Sequence, residues 1–170
     1  CNQPSGVLVA PNGDIFVGDG HDGGSNARIV KFSADGTFIK TWGQKGSAPG
    51  EFETPHGLAM DSRGRLFVAD RENNRVQIFN LGASDLGKPC ANPNAQPDMC
   101  GFVDEIHIAP HTASGTAGTA SLPSDAGESC LYVGDLANGT LYIINRENRT
   151  ELDRIGRAGR QAGEFHWLHA

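Results

Sequence analysis

Leu66-Phe67-Val68-Ala69-Asp70 is the second of three versions of one phrase. Ile15-Phe16-Val17-Gly18-Asp19 precedes it, and Leu131-Tyr132-Val133-Gly134-Asp135 follows. A turn or loop introduces each copy: Pro11-Asn12-Gly13, Asp61-Ser62-Arg63-Gly64, and the low-complexity stretch from Thr112 to Ser129. A polar turn and a second alternating apolar run come after each: Arg28-Ile29-Val30-Lys31-Phe32, Arg75-Val76-Gln77-Ile78-Phe79 and Thr140-Leu141-Tyr142-Ile143-Ile144. Short alternating runs separated by turns are the signature of antiparallel strands. No stretch carries a helical period.

Working outward, one unit reads as strand A from Gly6 to Ala10, B from Ile15 to Val17, C from Arg28 to Phe32 and D from Thr37 to Trp42. Repeating four-stranded units of about 50 residues are the blades of a β-propeller. The fold class is therefore all-β. Blade 1 is expected over about 1–50. Blade 2 follows over 51–100, with a loop at 82–100. Blade 3 spans 101–163 with an insertion at 109–129 rich in Gly, Ser, Thr and Ala, and blade 4 begins at 164–170. Three blades and a stub do not close a ring, because propellers take about four to eight. The chain reads as part of a longer one, in preference to two copies completing a ring. Open blade edges are expected to invite association.

The composition narrows the function. At 170 residues, a net charge of −6 and no basic stripe, the chain is not built to bind nucleic acid. Gly is plentiful (23), as tight turns require. No apolar run approaches the length of a membrane span. The chain starts on Cys1 without an initiating Met and reads as a mature or excised segment. Cys90 and Cys100 lie in a Pro/Asn-rich loop, and a local disulfide is the economical reading, with a zinc clip or two free thiols as alternatives. The disulfide reading places the protein outside the cytoplasm, as a secreted, extracellular or periplasmic chain. Cys1 and Cys130 have no evident partner except each other. Asn138 and Asn148 open N-x-T sequons, which matter only in a eukaryotic source.

A longer phrase also repeats. Gly43-x-x-Gly46-x-x-x-Gly50-Glu51-Phe52-x-x-x-His56 returns without a gap as Gly156-x-x-Gly159-x-x-x-Gly163-Glu164-Phe165-x-x-x-His169. A repeat that returns a histidine to one structural place aims several imidazoles at a common point, and converging imidazoles make a metal site.

The run Gly50-x-Phe52-x-x-Pro55-x-Gly57-Leu58-Ala59-x-Asp61-x-x-Gly64-x-Leu66-Phe67-Val68-Ala69-Asp70-x-x-Asn73-Asn74-Arg75-Val76-Gln77-x-Phe79 resembles an NHL repeat. Within that superfamily the chain most resembles the peptidyl-α-hydroxyglycine α-amidating lyases, which are six-bladed propeller enzymes. The closer likeness rests on Cys1-x-x-Pro4, Val17-x-Asp19-Gly20, Arg28-Ile29-Val30-x-Phe32-Ser33, Trp42-Gly43, Pro55-His56-x-Leu58-Ala59 and Val68-Ala69-Asp70-Arg71-Glu72-Asn73-x-Arg75. It is strong over residues 1 to 80 and weak from there to Gly156.

The resemblance implies zinc held by three histidines on alternate blades, with His56 and His169 on two of those positions and the third upstream of Cys1. It implies cleavage of a peptide's C-terminal α-hydroxyglycine to a peptide amide and glyoxylate. Arg71 matches an active-site arginine of the family, suited to a carboxylate or a developing oxyanion. The family's tyrosine base is replaced by His21, whose ordinary pKa near neutrality suits a base. The turn after His21 is longer (Asp22-Gly23-Gly24-Ser25) and lacks the family's second cysteine. Ala170 stands where the family has an aspartate that helps hold a structural calcium.

Strand direction supports a shared site. The D–A connections and B–C turns lie on one face, so His56, His169, Arg71 and His21 share a mouth of the central channel. A second functional class also fits: a non-enzymatic NHL propeller that binds a protein or glycan on that face. Other residues read as structural. His107 alternates with Ile106 and Ile108 along a strand, and His111 and His166 read as solvated. Asp19, Asp70 and Asp135 read as turn-holders, and Phe52, Phe165 and Trp42 as core plugs between blades. The phrase Asp70-Arg71-Glu72-Asn73 returns in part as Asn145-Arg146-Glu147-Asn148, so it is weak evidence by itself.

Overall fold

The computed structural model describes residues 1–21, 26–81, 130–135 and 138–165, and the backbone alone of 88–89 and 103–109. Alternating apolar runs build three four-stranded antiparallel sheets. The first contains β1 (Pro4–Val9), β2 (Ile15–Asp19), β3 (Arg28–Phe32) and β4 (Phe38–Trp42) in that spatial order. In the second, β5 (Pro55–Met60), β6 (Arg65–Asp70), β7 (Arg75–Asn80) and β8 (Lys88–Pro89) are neighbours in sequence order. The third joins β9 (Val103–Ala109), β10 (Cys130–Asp135), β11 (Thr140–Asn145) and β12 (Glu151–Ile155) in the same way. Each sheet is an up-and-down meander, the blade topology of a β-propeller. The helical content described is the single 3-10 turn Arg71–Asn73.

Two details depart from the strands read in the sequence. The outermost strand of the second sheet, β8, lies inside the span expected to be a loop. Pro89 can occupy it because an edge position asks for few backbone donors. Strand β1 starts at Pro4 rather than Gly6, because one residue of the strand bulges and carries the pairing further.

The middle sheet explains why Leu66-Phe67-Val68-Ala69 is apolar at every position. Its side chains alternate between two faces, and both are covered. Leu66, Val68 and Phe79 pack with Phe16, Ile29 and Phe52 on the side of the first sheet. Phe67 and Ala69 pack with Leu131, Val133, Tyr142 and Ile144 of the third. On the first sheet's other face, Val7 and Val9 remain exposed.

The longer repeat folds the same way twice. Phe52 N donates to the Gln44 carbonyl and Phe165 N to the Arg157 carbonyl, both at 2.8 Å. Gly46 N and Gly159 N return the contact to the Phe52 and Phe165 carbonyls at 3.0 Å. Each phenylalanine ring then fills the space beneath a glycine of positive φ, +96° at Gly43 and +84° at Gly156. A methyl on Gly43 would lie 2.6 Å from the Phe52 ring, so the first glycine of the phrase is required by the aromatic that ends it.

Candidate functional site

The repeated aspartates organise the turns from which the site residues project. Asp70 is fully buried and accepts hydrogen bonds from Asn73 Nδ2 at 2.8 Å, Arg75 Nε at 2.9 Å and the Glu53 amide at 2.9 Å. Asp19 does the same for Asn26 Nδ2 at 3.0 Å and Arg28 Nε at 2.9 Å. Asp135 accepts from Asn138 Nδ2 at 2.8 Å, with Thr140 in the place of the arginine. A buried carboxylate with this many donors is satisfied and fixes its turn. The turn-holding role expected for the three aspartates is what the bonds show. The Asn138 sequon is explained by that same clamp.

Arg71 opens the 3-10 turn after β6. Its amide donates to the Thr54 carbonyl at 2.9 Å, which joins the B–C turn of the second sheet to the D–A connection just before His56. Asn74, at φ 52°, closes the turn by donating to the Arg71 carbonyl at 3.0 Å. The Arg71 Nε lies 3.6 Å from Glu72 Oε1.

His56 is the second residue of β5 and only 6% exposed. Its register is irregular: Pro55 pairs with Asp70 and Leu58 with Val68, so His56 and Gly57 stand opposite a single residue. Such a bulge re-aims a side chain that regular pairing would bury in a sheet face. The same irregularity recurs near the start of the other two inner strands, between Pro4 and Gly6 and between Val103 and Glu105.

His21 leaves the end of β2 after Gly20, whose φ of +144° turns the chain. Its ring centroid lies 5.4 Å from that of His56, and its Nε2 lies 3.4 Å from Arg71 Nη1. A guanidinium only donates, so this long hydrogen bond uses Nε2 as acceptor and leaves the neutral ring's proton on Nδ1. Three side chains from two neighbouring sheets thus meet at one place: the His21 imidazole on a B–C turn, the buried His56 imidazole and the Arg71 cation. The arrangement suits an anionic or polar group beside a proton acceptor.

His169, Cys90, Cys100 and Ala170 lie outside the described residues, as do His111 and His166. Cys1 is an exposed free thiol, so its pairing with Cys130 is not made, and Cys130 is buried in β10. Imidazole donors suit zinc. Among the described residues, however, no three His, Cys, Asp or Glu gather into a set that would hold a metal. His56 supplies one donor of such a set, and the described part of the chain does not complete it.

Sequence reasoning missed the supports: Ser5, Gly6, Gly18 and Thr54. Its one available signal was the glycine in Val17-Gly18-Asp19, at a place where the second copy of the phrase has Ala69.

With this geometry in hand, comparison with known proteins gives the class. A family model described as NHL repeat matches residues 52–79. Human NHL repeat-containing protein 3 is 42% identical over 79 residues, covering 46% of this chain and 22% of that protein. Peptidyl-glycine alpha-amidating monooxygenase B of Xenopus laevis is 45% identical over 92 residues, covering 51% of this chain and 10% of that protein. A probable peptidyl-alpha-hydroxyglycine alpha-amidating lyase of Caenorhabditis elegans is 37% identical over 123 residues, covering 69% of this chain and 34% of that protein. The matched stretches thus span about a third or less of the length of these relatives. A solved nidogen/laminin complex contains a chain that matches with a TM-score of 0.58 at 18% identity, covering 89% of this chain and 46% of that one. The chain carries an NHL repeat and has the all-β, antiparallel fold of the β-propellers. Its homologues include both amidating lyases and NHL repeat-containing proteins.

Proposed function

We propose that this chain is part of a lyase acting on peptides that end in α-hydroxyglycine, releasing the peptide amide and glyoxylate. The reading is carried by the meeting of His21, His56 and Arg71, residues contributed by two sheets and drawn to one spot. Support also comes from the amidating lyases among the relatives.

In this reading Arg71 pairs with the terminal carboxylate, whose two oxygens match the guanidinium fork. With Arg71 turned onto the carboxylate, His21 Nε2 is released and takes the proton of the substrate hydroxyl. As the C–O bond becomes a carbonyl, the C–N bond breaks with its electron pair going to nitrogen, and the amide nitrogen recovers a proton. No oxidant is consumed. Zinc, with His56 and His169 among its ligands, would supply the positive charge that acidifies the substrate hydroxyl.

The test uses the full-length protein and a short α-hydroxyglycine peptide, with glyoxylate as the readout. Wild type releases glyoxylate, and His56→Ala loses both bound zinc and turnover. His21→Ala lowers kcat by about a hundredfold or more, the usual loss when a general base is removed. His21→Tyr, which restores the residue of the resembling family, retains activity. A wild-type protein that takes up no zinc and releases no glyoxylate removes the lyase reading and leaves a binding propeller.

A further inference from the structure

We infer that Ser5, with the glycines Gly6 and Gly18, positions His56, an inference that rests on the role given to His56 above. His56 stands in a bulge of the β5–β6 pair, where regular pairing resumes only at Leu58. The neighbouring sheet presses on the peptide planes to either side of it.

Ser5 is the extra residue in the bulge of β1, between Pro4, which pairs with Asp19, and Gly6, which pairs with Gly18. There its hydroxyl reaches across to the second sheet and donates to the Pro55 carbonyl at 2.5 Å, with the Gly18 carbonyl a second acceptor at 3.2 Å. The Pro55 carbonyl belongs to the peptide plane that enters His56. The plane that leaves His56 is met by Gly6, where an added methyl would overlap the His56 carbonyl oxygen. A methyl on Gly18 would overlap the Pro55 carbonyl oxygen. Both peptide planes flanking one Cα are therefore pressed against the first sheet, and together they set the φ and ψ of His56. The same first sheet carries His21 at the end of β2. One sheet thus carries His21 and braces the backbone of His56.

Ser5 is a positioning residue. A merely structural role would make its hydroxyl interchangeable with any other that ties strands together, such as Thr41 Oγ1, which donates to the Ile29 carbonyl at 2.9 Å. The experiment compares Ser5→Ala, Ser5→Thr and Thr41→Val in the full-length protein. It records melting temperature, the imidazole NMR signals of His56 and His21 without metal, and the zinc dissociation constant by chelator competition. Ser5→Ala is expected to move the His56 signals and weaken zinc by about ten- to a hundredfold, as loss of a group orienting a ligand does. Ser5→Thr restores both. Thr41→Val costs comparable melting temperature and leaves both readouts unchanged. If Ser5→Ala leaves the His56 signals at their wild-type positions, the inference is overturned. If wild type binds no zinc but the signals still move with Ser5 and return with Ser5→Thr, the positioning stands and the lyase reading alone falls.

Discussion

The connection over residues 43–52 and its copy over 156–165 share their internal hydrogen bonds, and among the described residues the first is also held from outside. The first is gripped by β7. Arg75 donates to the carbonyls of Ser47 at 2.5 Å, Ala48 at 3.1 Å and Glu51 at 2.8 Å, while its Nε bonds Asp70. Gln77 accepts from Gly50 N at 2.9 Å and donates to the Glu51 carbonyl at 2.7 Å. Phe52 at its end is completely buried. In the second copy the hydrogen bonds described stay inside the loop, such as Arg157 Nε to Glu164 Oε1 and Gln161 N to Glu164 Oε2, both at 2.9 Å. Phe165 is only half-buried. The phrase itself encodes the loop, and the adjoining sheet turns the loop into an anchor for His56.

The largest effect should come from the two plugs. Phe52→Ala is expected to cost about 3–5 kcal/mol, the usual loss for a fully buried aromatic. Phe165→Ala removes a partly buried ring from the matching place and, in the 170-residue chain, should cost about 1–2 kcal/mol. Urea denaturation of the two variants measures the gap, and equal costs would break the comparison.

Removing the grip is the next test. Arg75→Ala strips three backbone carbonyls of a charged donor and leaves the buried Asp70 short of one, at about 2–3 kcal/mol. More telling is where the loss appears. Amide exchange over 44–52 should rise toward that of 157–165, while the second copy does not change.

The smallest effect is electrostatic. Both loop glutamates have their carboxyl pKa held below the ordinary value. For Glu51 the main cause is the Gln44 side-chain amide, and for Glu164 it is the Gln161 backbone N–H, followed by Arg157. A lowered carboxylate pKa stabilises the fold above the ordinary glutamate range, and that contribution is lost as pH falls through the lowered value. NMR titration of the two carboxyls should show both shifts. High salt should shrink the Glu164 shift more, because a charged partner contributes more to it.

Much of the fold was legible because its rules are local. Alternation of apolar residues and the turns Pro11-Asn12-Gly13 and Asp61-Ser62-Arg63-Gly64 mark the strands, and the threefold Asp marks where each inner pair ends. The early start of β1 and the short β8 escaped that reading, since a bulge and an edge pairing leave no periodic trace. In the site, His21, His56 and Arg71 were visible as residue types in turn positions. Their supports were not, because Ser5 meets Pro55 across a sheet boundary and its target is a backbone carbonyl, which every residue possesses.

By itself, then, the sequence determined the strand pattern, the doubled loop and the side chains available for chemistry, all set by conformational preferences within a few residues. Only the tertiary structure decided which of them meet. Stacking the first sheet on the second brings His21 within reach of Arg71 and presses Gly6 and Gly18 onto the peptide planes around His56. That choice depends on the shape and packing of two apolar faces, a property that no single segment contains.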